Sequence, residues 1–271
     1  MKYDYIIVGA GSAGCVIANR LSEDPSTQVL LIEAGGSDRR FFIQMPIGYG
    51  VTYHQKAVNW MYMTEPSPDA DNKPSYWPRG KVMGGSSSIN AMVYVRGNSR
   101  DFDQWSEAGN PGWSYSDVLP YFKKMESWQN GPDDYRGGDG PLNVSEVSRQ
   151  LHPLCQNFLS AAQEIGIGLN KDMNGATQEG VGNYQITTHK GQRMSSSRAY
   201  LWPIKGRTNL TIIKNAQATK ILTQDKKAFG IEYKKSGKIH QVIAKCEVIL
   251  SAGSINSPHL LQLSGIGPKA A

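Results

Sequence analysis

Six residues, Gly9-Ala10-Gly11-Ser12-Ala13-Gly14, constrain this chain more than any others. They follow a β-branched run, Tyr5-Ile6-Ile7-Val8, that reads as a buried parallel strand. They open a segment in which Cys15, Val16, Ala18 and Leu21 recur at helical spacing, and Gln28-Val29-Leu30-Leu31-Ile32-Glu33 then reads as a second buried strand, completing a βαβ unit. With 29 glycines in 271 residues, a GxGxxG pattern arises by chance roughly 0.3 times, so alone it is weak. Its place between strand and helix, with an acid, Glu33, nineteen residues beyond Gly14, makes it specific. Gly9 and Gly11 permit a tight turn and let backbone N–H groups approach a pyrophosphate, while Gly14 lets the helix pack on the strand. The helix start, at Ser12 and Ala13, carries partial positive charge. Glu33 is placed to accept hydrogen bonds from an adenosine ribose and disfavours a 2′-phosphate, hence NADP. The fingerprint by itself does not separate NAD from FAD.

With 39% hydrophobic and 19% charged residues, the chain has the composition of a globular protein, not of a disordered one. Its longest apolar runs, Tyr5 to Val8 and Val248 to Leu250, fall far short of the ~20 residues that cross a bilayer. The net charge of +6 is spread thinly, with Lys226-Lys227 and Lys234-Lys235 the densest points, so no nucleic-acid face is expected. Cys15, Cys155 and Cys246 share no short spacing, which argues against a disulfide framework or a metal site and suits a reducing compartment. The N-terminus enters a strand at once, without a signal-type leader, so a cytoplasmic location is expected.

Further along, Phe41 to Arg79 is rich in proline and aromatics and reads as an ordered loop wrapped over something. Asp117 to Met125 and Leu154 to Ile165 read as helices, and a strand is expected around Pro141 to Val144. Leu210 to Ile213, Ala218 to Leu222, Gly230 to Lys234 and Val242 to Ile243 read as an antiparallel meander. Glu247 to Leu250 reads as another buried strand, with Ser251-Ala252-Gly253 leading into a helix.

The stretch Arg79-Gly80-Lys81-Val82-Met83-Gly84-Gly85-Ser86-Ser87-Ser88-Ile89-Asn90-Ala91-Met92-Val93 resembles the first signature of the glucose-methanol-choline (GMC) oxidoreductases, FAD enzymes that oxidise alcohols. Gly253 to Gly267, reading GSINSPHLLQLSGIG, resembles the second. Gly84 and Gly85 lack Cβ, so their backbone can press against an isoalloxazine, while Ser86 meets the pyrophosphate and Asn90 the polar edge of the ring. The resemblance implies that backbone near Val82, Ser86 and Asn90, Ala91, Met92 and Val93 contacts FAD, that Ala218 lies near adenine, and that Ala252 and Gly253 line the pyrophosphate side. Ala34, Trp60 and Arg79 complete the candidate cofactor set. Some members attach the flavin through a His in this loop; Ile89 stands there, so FAD is expected to be held without a covalent bond.

The expected fold is therefore α/β. A Rossmann-like FAD-binding domain with an antiparallel meander comes from residues 1–40 and 208–271, with a flavin-covering loop and first signature at 41–100 and an inserted, incomplete α+β substrate portion at 101–207. The resemblance implies oxidation of a small-molecule alcohol to an aldehyde by hydride transfer to flavin N5, as in choline and alcohol dehydrogenases, with a quinone or oxygen as acceptor. Peripheral membrane association and oligomeric state stay open. The family's catalytic His with His or Asn is expected beyond residue 271, so no catalytic residue is assigned here. His54, His152, His189, His240 and His259 have no partner at useful spacing, and Cys15 is expected to pack, not react. Rival readings are an inactive FAD-binding fragment, a hydroxynitrile lyase or fatty-acid photodecarboxylase on the same fold, and an NAD-dependent dehydrogenase.

Overall fold

β1 (Lys2–Val8), α1 (Ser12–Leu21) and β2 (Val29–Ile32) begin the computed structural model, which describes residues 2–268. The chain divides into two compact units, one made of the part up to Ala91 with the part from Ser195 onward, the other of Met92–Met194. The first unit returns through β3 (Leu210–Ile213), β4 (Ala216–Gln224), β5 (Lys227–Lys235), β6 (Lys238–Leu250) and α2 (Gly253–Leu263). Its six strands lie in the order β3-β2-β1-β6-β5-β4. β3, β2, β1 and β6 are parallel, and β5 and β4 run antiparallel to their neighbours. All four residues of β2 are buried, as expected for a parallel strand covered on both faces.

Two expectations change here. Leu210–Ile213 is not part of the meander but pairs in parallel with β2, from Leu210 opposite Val29 to Ile213 opposite Ile32. The outer edge of β2 is buried, and a parallel neighbour satisfies backbone groups that would otherwise lie unpaired away from water. The strands expected at Val242 to Ile243 and Glu247 to Leu250 are one 13-residue strand, β6. Its first half pairs with β5 and its second half with β1, so one strand carries the sheet from antiparallel to parallel pairing.

β3 and β4 occupy opposite edges of this sheet yet follow each other in the chain, so the sheet must curl and bring the meander across one face. Hydrogen bonds from the Asn215 and Ala216 N–H groups to the Gly35 and Glu33 carbonyls, both 2.9 Å, mark that return. The core follows: Ile6, Val8, Leu30 and Ile32 cluster with Ala216, Ile221, Ile231, Val242 and Leu260. Ile7 and Leu31, on the opposite face by alternation, are fully buried where α1 packs. Between Phe41 and Arg79 lie short helical turns at Phe41–Gln44, Pro46–Gly48 and Tyr49–Thr52, then an arm in which Tyr62–Met63 pairs with Tyr76–Trp77.

The second unit contains helices Ser99–Glu107, Tyr115–Met125 and Leu154–Glu164, the first two opened by capping boxes at Asn98/Asp101 and Ser114/Asp117. Beside an apolar cluster of Tyr94, Trp128 and Val144, its interior holds an ionic network. Glu126, fully buried, accepts from Arg96 Nη2 at 2.7 Å and from Arg136 Nη2 at 2.5 Å, and Arg136 Nη1 reaches Asp172 at 2.8 Å. The Arg136 guanidinium also lies 4.2 Å from the Trp128 ring centroid. Two arginines face two carboxylates, and removing one partner leaves a buried charge uncompensated. Glu126→Ala is expected to lower the unfolding free energy by about 3–5 kcal/mol in a urea titration; a loss below about 1 kcal/mol would show that the arginines reach solvent instead.

Candidate functional site

The site forms where the three glycine-bearing stretches meet at the ends of β1 and β6. Pairing of Val8 with Leu250 sets Gly9 beside Ser251, whose N–H donates to the Val8 carbonyl at 2.8 Å. Gly9 has φ +99°, and a Cβ there would stand 2.5 Å from the Ser251 carbonyl oxygen, so both conformation and space require glycine. The first-signature loop closes on the same turn: Gly84 N–H donates to the Ala10 carbonyl at 2.7 Å, and a Cβ on Gly85 would lie 2.7 Å from Gly11 Cα.

Together they border a cavity of about 640 Å³, within the ~300–1,000 Å³ of small-molecule sites. Gly9, Gly11, Ser12, Ala13, Glu33 and Ala34 line it from the first βαβ unit, and Trp60, Arg79, Gly85 and Ser86 from the stretch that follows. Ala218, Ala252 and Gly253 line it from the returning part. The other candidates lie elsewhere. Gly14 sits behind the turn, where a Cβ would stand 1.9 Å from the Gly9 oxygen. Val82 is in an apolar cluster with Ile43, Val58 and Ile89, and Gly84 lies against the Ser88 hydroxyl. Asn90 and Ala91 are not among the cavity walls, and Met92 and Val93 belong to the second unit. Tyr62, Gln217, Ser251, Asn256 and His259 also line the cavity and were not in the candidate set. Three of them lie in or beside the second signature; Tyr62 and Gln217 carry no local signal.

Two helix N-termini open onto this space. Gly11 is the N-cap of α1 and Ala252 that of α2, neither makes a side-chain cap bond, and neither first turn carries an acid. Both positive ends are therefore left to whatever the cavity holds. Glu33 supplies the opposite sign: Oε2 accepts from Ala10 N–H at 2.9 Å and Oε1 from Gly35 N–H at 2.8 Å. Those bonds fix the carboxylate while each oxygen keeps a second lone pair. Burial pushes the Glu33 carboxyl up to about 6, opposed by its two backbone bonds and the charge of Lys81. Cys15 is buried, its thiol donating to the Ala10 carbonyl at 3.2 Å, and burial pushes its pKa far up, so it packs.

The sequence profile of the GMC oxidoreductase family matches residues 3–271, and the chain belongs to that family. It is 51% identical over 269 residues to an oxygen-dependent choline dehydrogenase of Photobacterium profundum, covering 99% of this chain and 47% of that protein. It is 48% identical over 272 residues to an alcohol dehydrogenase (acceptor) of Pseudomonas putida, covering 99% of this chain and 49% of the relative. Among solved structures, pyridoxine 4-oxidase from Mesorbium loti superposes with a TM-score of 0.95 at 33% identity, over 99% of this chain and 53% of that one. An FAD-dependent oxidoreductase from Chaetomium thermophilum gives 0.91 at 33% identity, over 99% and 48%. The chain spans about half the length of the curated relatives it matches. Among the described residues no helix is long and apolar enough to cross a membrane.

The raised pKa of Glu33 has a definite sign. The folded state keeps a proton that the unfolded chain releases from 4.5, so Glu33 costs stability as pH rises through the window from 4.5 to about 6, and the whole cost is present above it. Relative to Glu33→Gln, the unfolding free energy is expected to fall by about 2 kcal/mol between pH 4 and pH 7. A difference that stays flat across that window contradicts the desolvated carboxylate.

Proposed function

We propose that the chain is the FAD-holding part of an oxidoreductase acting on the CH–OH group of a small alcohol, choline or a relative of it, with a quinone or oxygen as acceptor. The observation that carries this reading is the convergence of two uncapped helix N-termini and a fixed carboxylate on one cavity. The family and the names of the relatives supply the substrate class.

The residues suit a dinucleotide. Gly11 lines the cavity with φ −75°, and a Cβ there would meet only the Ser251 oxygen, at 3.8 Å, so nothing in the protein demands glycine, whereas a ligand pressed against the backbone would. Backbone N–H groups of Ser12 and Ala13 at α1, with those of Gly253 and Ser254 at α2, would hold the diphosphate. Glu33 would accept from the adenosine ribose hydroxyls, and Ala218 would lie against adenine. The roles assigned to Val82, Gly84, Asn90, Ala91, Met92 and Val93 remain part of the proposal by family resemblance. Bound FAD would supply the two-electron acceptor that oxidation of a CH–OH group to a carbonyl requires. Ile89, buried against Val82, offers no nucleophile, which supports non-covalent retention. No catalytic base is assigned among the histidines: His54 stacks on Tyr76, His240 stacks on Tyr233, and His152 Nδ1 accepts from Leu154 N–H. Cys15, Cys155 and Cys246 are free thiols, which favours a reducing compartment such as the cytoplasm.

The test compares Gly11→Ala with the parent chain by flavin fluorescence and by urea unfolding of the flavin-free protein. The parent is expected to bind FAD. The variant is expected to keep its unfolding free energy within about 0.5 kcal/mol and to lose FAD affinity at least ~10-fold, because a methyl group displaces phosphate from the N–H groups. Unchanged affinity, or a parent that binds no flavin, overturns the reading.

A further inference from the structure

Trp60 to Arg79 form an arm along one wall of the cavity, and the start of α2 forms part of another. The base of the arm is held by the buried side chain of Asn59, whose Oδ1 accepts from the Met61 and Arg79 N–H groups at 2.9 and 3.0 Å. Its Nδ2 donates to the Tyr53 carbonyl at 2.7 Å and to the Tyr76 hydroxyl at 3.0 Å. Beyond that base, Tyr62 and Trp77 pair across the arm. The Trp60 and Tyr62 rings stack at 5.9 Å with 5° between their planes, and the Lys81 ammonium lies 4.4 Å from the Trp60 centroid. The arm thus brings to the cavity a stacked aromatic pair with a cation against Trp60.

One side-chain bond reaches from this arm to the returning half of the unit: the Tyr62 hydroxyl donates to Asn256 Oδ1 at 2.6 Å across 194 positions of sequence. Both residues line the cavity, and Asn256 stands at the fourth position of α2. We propose that the Tyr62–Asn256 hydrogen bond is a clasp that holds the arm against α2 and sets how fast a dinucleotide enters and leaves the cavity. Among the described residues no other hydrogen bond joins residues 60–79 to the chain beyond Ser195. Parting the arm from α2 therefore costs this bond and the packing beside it, while the Asn59 base stays intact and serves as the pivot. A neutral bond of this kind is worth little to global stability but much to a local opening that breaks nothing else.

The proposal rests on the FAD reading for its ligand, and the experiment separates the two. Tyr62→Phe removes the hydroxyl and keeps the ring stack; Asn256→Ala removes the acceptor; the double variant closes a cycle. Amide hydrogen exchange over residues 60–64 and 75–79 is followed in the flavin-free chain, and FAD release is followed by the recovery of flavin fluorescence. Each single variant is expected to speed exchange in the arm about 5-fold and FAD release by a similar factor, with exchange at β1 and β2 unchanged. The double variant is expected to be no faster than either single one. Exchange and release at the parent rates, or effects of the two substitutions that multiply, overturn the clasp. If the parent retains no flavin, the FAD reading fails and arm exchange alone decides the clasp.

Discussion

Backbone touching backbone at the end of β1 is the constraint from which the rest of the first unit follows. The Gly9 turn lies against Ser251, α1 lies against Gly9 at Gly14, and the Gly85 loop lies against Gly11, each at a distance that leaves no room for a Cβ. Three chain segments, far apart in sequence, are thereby fixed with no intervening side chains to relax. Two helix starts then open on one cavity, and the Glu33 carboxylate, pinned by two N–H groups, occupies its edge. Their orientation is a property of the sheet, since pairing of β1 with β2 and β6 sets where each turn begins.

The two units reach order by different physics. The first buries aliphatic residues between a curled sheet and its own meander, whereas the second joins an aromatic and aliphatic cluster at Tyr94, Trp128 and Val144 to a buried network of Arg96, Glu126, Arg136 and Asp172. An ionic interior of that kind adds little net stability but tolerates few wrong arrangements. Glu33 is a third case: its burial without a cationic partner in hydrogen-bond contact is unfavourable for the protein alone, and such costs gather where ligands bind.

Much of this was legible in the residues. Strand, glycine turn, helix and acid at Glu33 announce themselves because each is a local pattern, and the signature loops carry their own glycines. The parallel place of Leu210–Ile213 was not legible, since four residues of alternating character describe an antiparallel edge equally well; only the buried flank of β2 decides. Lys245 and Cys246 interrupt the apolar run of β6, so a strand with two successive partners reads as two strands. Tyr62 meets Asn256 across 194 positions, and Arg136 meets Asp172 across 36. Contacts of that range leave no periodic trace in sequence. Val82 packs with Ile43, Val58 and Ile89 and Gly84 lies against Ser88, so the packing of the signature loop depends on partners outside its own glycines.

The proposed ligand of the cavity is an adenine-tailed diphosphate held by two helix starts. The most direct test is calorimetric competition on the flavin-free chain, titrating FAD, riboflavin and ADP in turn. ADP is expected to compete with FAD, and riboflavin, lacking the diphosphate and adenosine, is expected to bind at least ~10-fold more weakly than FAD. Riboflavin binding as tightly as FAD, with ADP unable to displace either, would contradict it.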